Sequence, residues 1–189
     1  GLVGSEMCIR DRIKRGNISG DMDLFGHSNS DSAGDRVYIR LLADNTLFMN
    51  GVSPSPAITM SVGTNQLFRD VSAWYHIIVA YDSTSSIESE RVRFYLNGSR
   101  ITSLKAHDSA TPNYPSLNEG FATNQTTRTH VIGRYHYSSG SNYFDGYMAE
   151  IHWLDSYAYG PEYFGEFKED TDIWIPKKYT ESYGTNGFR

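Results

Sequence analysis

From Arg36 to Asp155 apolar and polar residues alternate with a period of two, and turn residues break the alternation about every 8 to 12 positions. That pattern predicts short strands and little helix. RVYIRLL (36–42) and TLFMNG (46–51) flank Ala43-Asp44-Asn45, a hairpin signal, and AITMSVGT (57–64) follows a stretch in which Pro54 and Pro56 are expected to interrupt any ladder. In WYHIIVAYD (74–82), Trp74, His76, Ile78 and Ala80 point one way and Tyr75, Ile77, Val79 and Tyr81 the other. Apolar side chains on both faces predict a central, covered strand, so Trp74→Ala is expected to cost about 3 to 5 kcal/mol as a core truncation. RVRFYL (91–96) alternates cleanly, and Asn97-Gly98 supplies the two positive φ values of a type I′ turn, so residues 99–104 are expected to return as its hairpin partner. THVIGRY (129–135) and FDGYMAEIHWLD (144–155) predict two more strands, while PEYFGEF (161–167), opened by Pro161, is the one helix-like piece. Residues 107–129 are polar and aperiodic, a long loop of the kind that is functional or mobile. The expected fold class is all-β, a two-sheet antiparallel jelly-roll sandwich.

The ends depart from this pattern. Gly1 to Arg12 (GLVGSEMCIRDR) shows no period, holds the single cysteine, Cys8, and contains EMCIRDR, which looks like a translated adapter remnant. We expect residues 1–12 to be foreign to the fold and poorly ordered, with the sandwich over 13–179 and a cut tail over 180–189.

Composition narrows the function classes. The 189 residues are 39% hydrophobic and 14% aromatic, enough apolar area to offset the chain entropy of one domain. One cysteine excludes a disulfide framework, and no apolar run approaches the ~20 residues of a membrane span, so no membrane insertion is expected. The net charge of -5 speaks against nucleic acid as a partner.

Order and spacing of several short motifs carry a family resemblance. WYHIIVAYD followed by VRFYLNG (92–98), then Ile132-Gly133-Arg134 and FDGYMAEI (144–151), resemble the motif series of laminin-G-like, concanavalin A-like lectin/glucanase jelly-roll domains. Toward the C-terminus, Phe164-Gly165-Glu166-Phe167, Trp174-Ile175-Pro176-Lys177-Lys178-Tyr179 and Tyr183-Gly184-Thr185-Asn186-Gly187-Phe188 resemble the version of this domain in structural, tail-associated proteins of marine tailed phages. In that version a strand precedes the position of Ile13-Lys14-Arg15-Gly16-Asn17, so the resemblance implies a truncated first strand and an open sheet edge here.

The search for chemistry is mostly negative. The E-x-D-x-x-E carboxylate spacing of glycoside hydrolases of this fold is missing, as are serine-hydrolase, P-loop and zinc spacings. Glu150 is the best candidate for a buried carboxylate, read as structural, and His76 reads as a core or interface histidine. Asp21-Met22-Asp23 and Asp170-Thr171-Asp172 are the places a calcium ion could sit, but acidic loop pairs are usually solvated, so no metal and no cofactor is assigned. The feature best suited to binding is YHYSSGSNY (135–143): Tyr135, Tyr137 and Tyr143 can stack on sugar rings, while His136, Ser141 and Asn142 can hydrogen-bond hydroxyls.

The resulting expectation is a non-catalytic binding or structural module of a phage virion, decorating a tail or spike in several copies. Its partner would be host-surface carbohydrate or a neighbouring virion protein. The alternatives are an extracellular laminin-G-like lectin of a marine microbe and, disfavoured by the missing motif, a glycoside hydrolase.

Overall fold

The computed structural model describes residues 6–28, 36–54, 57–120, 129–135 and 141–189. The strands are β1 (Glu6–Arg15), β2 (Met22–Ser28), β3 (Arg36–Leu41), β4 (Thr46–Pro54), β5 (Ala57–Leu67), β6 (Tyr75–Asp82), β7 (Val92–Leu96), β8 (Ser99–Ile101), β9 (Leu104–Lys105), β10 (Thr129–Ile132), β11 (Gly146–Asp155), β12 (Gly165–Phe167) and β13 (Trp174–Pro176). They form a five-stranded sheet in the order β11-β1-β6-β7-β8, a six-stranded sheet in the order β10-β2-β3-β4-β5-β9, and a small β12-β13 hairpin. Every pairing is antiparallel, as a jelly-roll sandwich requires.

Alternation builds the core. Ile9, Ile13, Ile77, Val79 and Phe94 from one sheet meet Phe25, Ile39, Met49 and Val62 from the other. Trp153 stacks on Phe25 with ring centroids 4.2 Å apart. The central position expected for β6 is observed, between β1 and β7. Asn97 and Gly98 take φ values of 47° and 81°, so the β7–β8 turn has the predicted handedness. The Trp174 ring also lies where a side chain on Gly98 would project, so the same glycine admits the C-terminal segment.

Several expectations are corrected. Residues 6–12 are not a loose end: Met7 to Asp11 pair with both β11 and β6, so β1 is internal and the sheet has no open edge there. The period of two was hidden because Arg10, Asp11 and Arg12 interrupt it, yet Met7, Ile9 and Ile13 still reach the core and Cys8 the opposite face. The ladder carries Asp11 inward with them, 3% exposed among apolar residues. The last residues are docked as well, for Phe188 pairs with Trp153 and the Asp155 amide donates to the Tyr183 carbonyl.

Trp74 is 41% exposed on the outer face, with the Arg12 guanidinium over its ring, so it is no core residue. Glu150 is also exposed: a β-bulge, marked by its φ of 54°, turns it to the surface, where it pairs with Arg10 at 2.9 Å. Pro54 does not end β4 early but pairs with Ala57 at the tip of the hairpin. The partner expected over 99–104 divides, with Ser99–Ile101 on β7 and Leu104–Lys105 crossing to β5. The short helical turn expected near 161–167 is present as a 3₁₀ turn over Pro161–Tyr163, and strand β12 follows it.

Candidate functional site

On the six-stranded sheet, inward Val37, Ile39, Leu47, Met49, Met60 and Val62 leave Tyr38, Arg40, Phe48, Asn50, Ser61 and Gly63 on the outer face. Register sets Tyr38 beside Asn50 and Asn50 beside Ser61, with Arg40 beside Phe48 and Phe48 beside Gly63 in the next row. Phe48 is 1% exposed despite facing outward, because its ring lies over the bare backbone of Gly63, where a Cβ would come within 2.9 Å of it. The chain leaving β9 raises one wall through Ala106, His107 and Ser109, with the His107 ring 5.5 Å from Phe48. Asp21 stands on the opposite side, and the cleft so enclosed has a volume of about 550 Å³.

Polar groups in the cleft divide into spent and available ones. Arg40 Nε and Nη2 donate to the two oxygens of Asp23 at 3.1 and 3.0 Å, and Nη1 donates to Asp21 at 3.2 Å. Burial pushes the Asp23 carboxyl up to about 6, against the pull of that bidentate contact. The remaining Asp21 oxygen accepts the Ala43 amide at 2.9 Å, so the acidic pair proposed for calcium is occupied within the protein. Among the described residues no group of three His, Cys, Asp or Glu could hold a metal ion. Asn50 donates to the Met60 carbonyl at 3.0 Å, and its amide oxygen is buried with no hydrogen-bond partner among the described residues.

Catalytic work by this cleft is poorly supported. Both Asp21 oxygens are engaged, Asp23 is clamped by Arg40, and the Asp108 side chain is 91% exposed beside His107. A general acid of a glycosidase needs a carboxyl kept protonated by burial and free to meet its substrate.

Of the binding residues expected from sequence, Tyr135 reaches the cleft: its ring meets Tyr38 edge-on at 5.8 Å, and the Arg40 guanidinium lies 4.9 Å from its centroid. Ser141 acts through its backbone, its carbonyl accepting from the Tyr135 amide at 3.3 Å, whereas Asn142 holds Asp23 twice, its carbonyl accepting the Asp23 amide at 3.0 Å and its side chain hydrogen-bonding the Asp23 carboxylate. Tyr143 is 59% exposed. His136 and Tyr137 lie outside the described residues. Tyr38, Arg40, Phe48, Asn50 and His107 were missed, although the outward polar and aromatic positions of RVYIRLL and TLFMNG were a readable signal.

The sequence matches the family model described as the concanavalin A-like lectin/glucanases superfamily over residues 4–159, a match that begins before β1. A search of curated proteins finds no significant match. Among solved structures the fold resembles the Ruminococcus gnavus IT-sialidase CBM40, with 10% identity, 85% of this chain and 80% of that one covered, and a TM-score of 0.55. The complex of that CBM40 with α2,3-sialyllactose aligns with a TM-score of 0.52, 10% identity and coverage of 82% and 77%. The Streptococcus pneumoniae NanB sialidase aligns with a TM-score of 0.54 and 15% identity over 85% of this chain but 23% of its own. At such identities the likeness is one of fold.

Proposed function

The chain belongs to the concanavalin A-like lectin/glucanases superfamily, and from that premise we propose that it is a non-catalytic carbohydrate-binding module that seats a neutral glycan over β3, β4 and β5. The observation that carries this reading is the cleft itself, in which the rings of Tyr38, Phe48 and His107 stand beside the polar side chains of Asn50 and Ser61. A sugar ring stacks on an aromatic face while its hydroxyls meet the side chains of Ser61 and His107. Asp21, Asp23 and Asp108 outnumber Arg40 around the cleft, which favours an uncharged sugar over an acidic one. The fold likeness to the sialyllactose-bound CBM40 is consistent with a glycan as ligand, but the charge at this cleft differs from what an acidic sugar needs.

The finer assignment in this proposal is a module decorating the tail or spike of a phage virion, acting in several copies so that avidity makes up for a shallow site. Its support is the resemblance of the segments around Phe164, Trp174 and Tyr183 to phage tail-associated domains. An extracellular lectin is the alternative, and the genes flanking the source reading frame decide between them: portal, terminase or tail genes for the virion, an export signal for the lectin. Binding itself is tested on an array of neutral and acidic glycans. Capture of a neutral glycan that is lost in Tyr38→Ala supports the cleft; no capture, or capture indifferent to that substitution, refutes it.

A further inference from the structure

The outer face of the five-stranded sheet is only partly covered. Cys8, Ile78, Ala80 and Leu154 lie beneath Phe164 and Tyr179 of the C-terminal segment. His76 lies beneath Trp174 of the same segment, which stacks on it; beyond that cover, register sets Arg12 opposite Ala149 and Lys14 opposite Tyr147, while Ile13 and Met148 turn toward the core. Trp74 extends β6 on the same side and carries the Arg12 guanidinium 5.4 Å from its ring centroid. Two exposed aromatic side chains, Trp74 at 41% and Tyr147 at 66%, therefore flank β1, one on each side. Strand spacing puts them about 10 Å apart, with Arg12 and Lys14 between them.

Where this bare strip meets the cover there is a pocket of about 290 Å³ lined by Arg10, Glu150, His152, Lys177, Lys178 and Arg189. Its single carboxylate is consumed, because Glu150 pairs with Arg10 at 2.9 Å. Lys177, Lys178 and Arg189 have no acidic partner among the described residues. The concentration of positive charge acts on its neighbours: burial is the main cause holding His152 down to about 4, and Arg10 and Arg189 add to it. In a chain whose net charge is -5, this is a local cationic pocket opening onto an aromatic strip.

We propose that this face is a second binding site, separate from the cleft over β3–β5, for an acidic polysaccharide. Its carboxylate or sulfate groups enter the pocket at Lys177, Lys178 and Arg189, and its sugar rings stack on Trp74 and Tyr147. Charge complementarity selects the occupant, and the two aromatic groups favour a polymer of sugar rings over a bare anion. Nucleic acid fits less well, since the negative charge elsewhere on the chain repels a polyphosphate that extends beyond the pocket.

The test is affinity electrophoresis of the full chain through gels containing dextran sulfate, polygalacturonate or dextran, with oligo(dT) binding followed in parallel by anisotropy. All are run in a Tyr38→Ala background that silences the other cleft. Retention by the sulfated or the carboxylated polymer is expected, identifying which anion is preferred, with none by dextran. Combining Lys177→Ala with Lys178→Ala, or introducing Trp74→Ala, should weaken retention about tenfold, and raising salt should do the same. The proposal is overturned if neither anionic polymer retains the protein, if the lysine variant is retained unchanged, or if oligo(dT) binds as tightly. Because the background lacks Tyr38, failure here leaves the neutral-glycan reading untouched, and failure of that reading leaves this one standing.

Discussion

The ring of Tyr135 meets the ring of Tyr38 edge-on, with centroids 5.8 Å apart and planes at 85°. Arg40 lies against both, its guanidinium 4.3 Å from the Tyr38 centroid and 4.9 Å from that of Tyr135. A loop residue distant in sequence thereby becomes part of a wall built by β3.

The contact ranks the two tyrosines. Tyr38 lines the cleft itself, whereas Tyr135 steadies Tyr38 and Arg40 from the side. Tyr38→Ala is expected to weaken glycan binding about tenfold or more, and Tyr135→Ala by less, measured by titration calorimetry with the best array ligand. Equal losses, or the reverse order, would remove Tyr38 as the stacking platform.

Among the described residues Arg40 is the one basic side chain on Asp23, which is fully buried. Arg40→Ala strands that carboxylate and should destabilise the fold by about 3 kcal/mol in urea unfolding. Adding Asp23→Ala to Arg40→Ala should recover part of the loss. If the double variant is no more stable than the single, the pair is not the reason Arg40 matters.

Stability should peak near pH 6.5. Neither Asp11 oxygen makes a well-formed hydrogen bond, and burial pushes its carboxyl up to about 8. A folded-state pKa above the unfolded one means the folded state holds the extra proton, so stability is lost as pH rises from about 4 to about 8. His76 and His152 act in the opposite sense: burial foremost, with cationic neighbours, holds them down to about 3 and about 4, so stability is lost as pH falls below about 6.5. Between about 4 and 6 the two histidines are offset by Asp11 and by Asp23, whose carboxyl burial raises to about 6; from about 6 to 6.5 the histidines outweigh Asp11, and above 6.5 Asp11 acts alone. Urea midpoints across pH check this, and Asp11→Leu should gain about 2 kcal/mol or more at pH 8 while flattening the alkaline side. A variant no more stable than the parent at pH 8 would contradict the buried position of Asp11.

Cys8 reports directly on β1. It is fully buried, with burial raising its thiol pKa, and its Sγ lies 3.8 Å from the Tyr159 carbonyl. A thiol reagent should label it about a hundredfold more slowly in the folded protein than in urea. Rapid labelling in buffer would mean that residues 6–12 are not in the sheet. Removing residues 1–12 should correspondingly prevent folding, since β6 and β11 would lose the strand that joins them.

Much of the fold was legible along the chain because its signals are local. The alternation in Tyr75 to Tyr81 marked a strand covered on both faces, and Asn97-Gly98 marked a tight hairpin, since only residues tolerant of positive φ close one. Of the cleft, Asp21 was singled out, though as a place for calcium, and Tyr135 as a neighbour of its wall. The neighbouring loop drew attention for its composition, while Tyr38 and Asn50 sat in strands that looked merely structural.

By itself the sequence determined strand periods, turn handedness, the all-β class and the family motifs, all properties of residues within a few positions of each other. Tertiary structure decided what depends on which strands become neighbours. It brought β3, β4 and β5 together so that Tyr38, Phe48, Asn50 and Ser61 share one face, and it placed β1 between strands that lie some 65 and 140 residues further along. Pairing partners also settled exposure: Trp74, apolar and regularly spaced, stays at the surface because the C-terminal cover stops short of it, whereas Asp11, an ionisable residue, is drawn into the core because the ladder leaves its strand no other register.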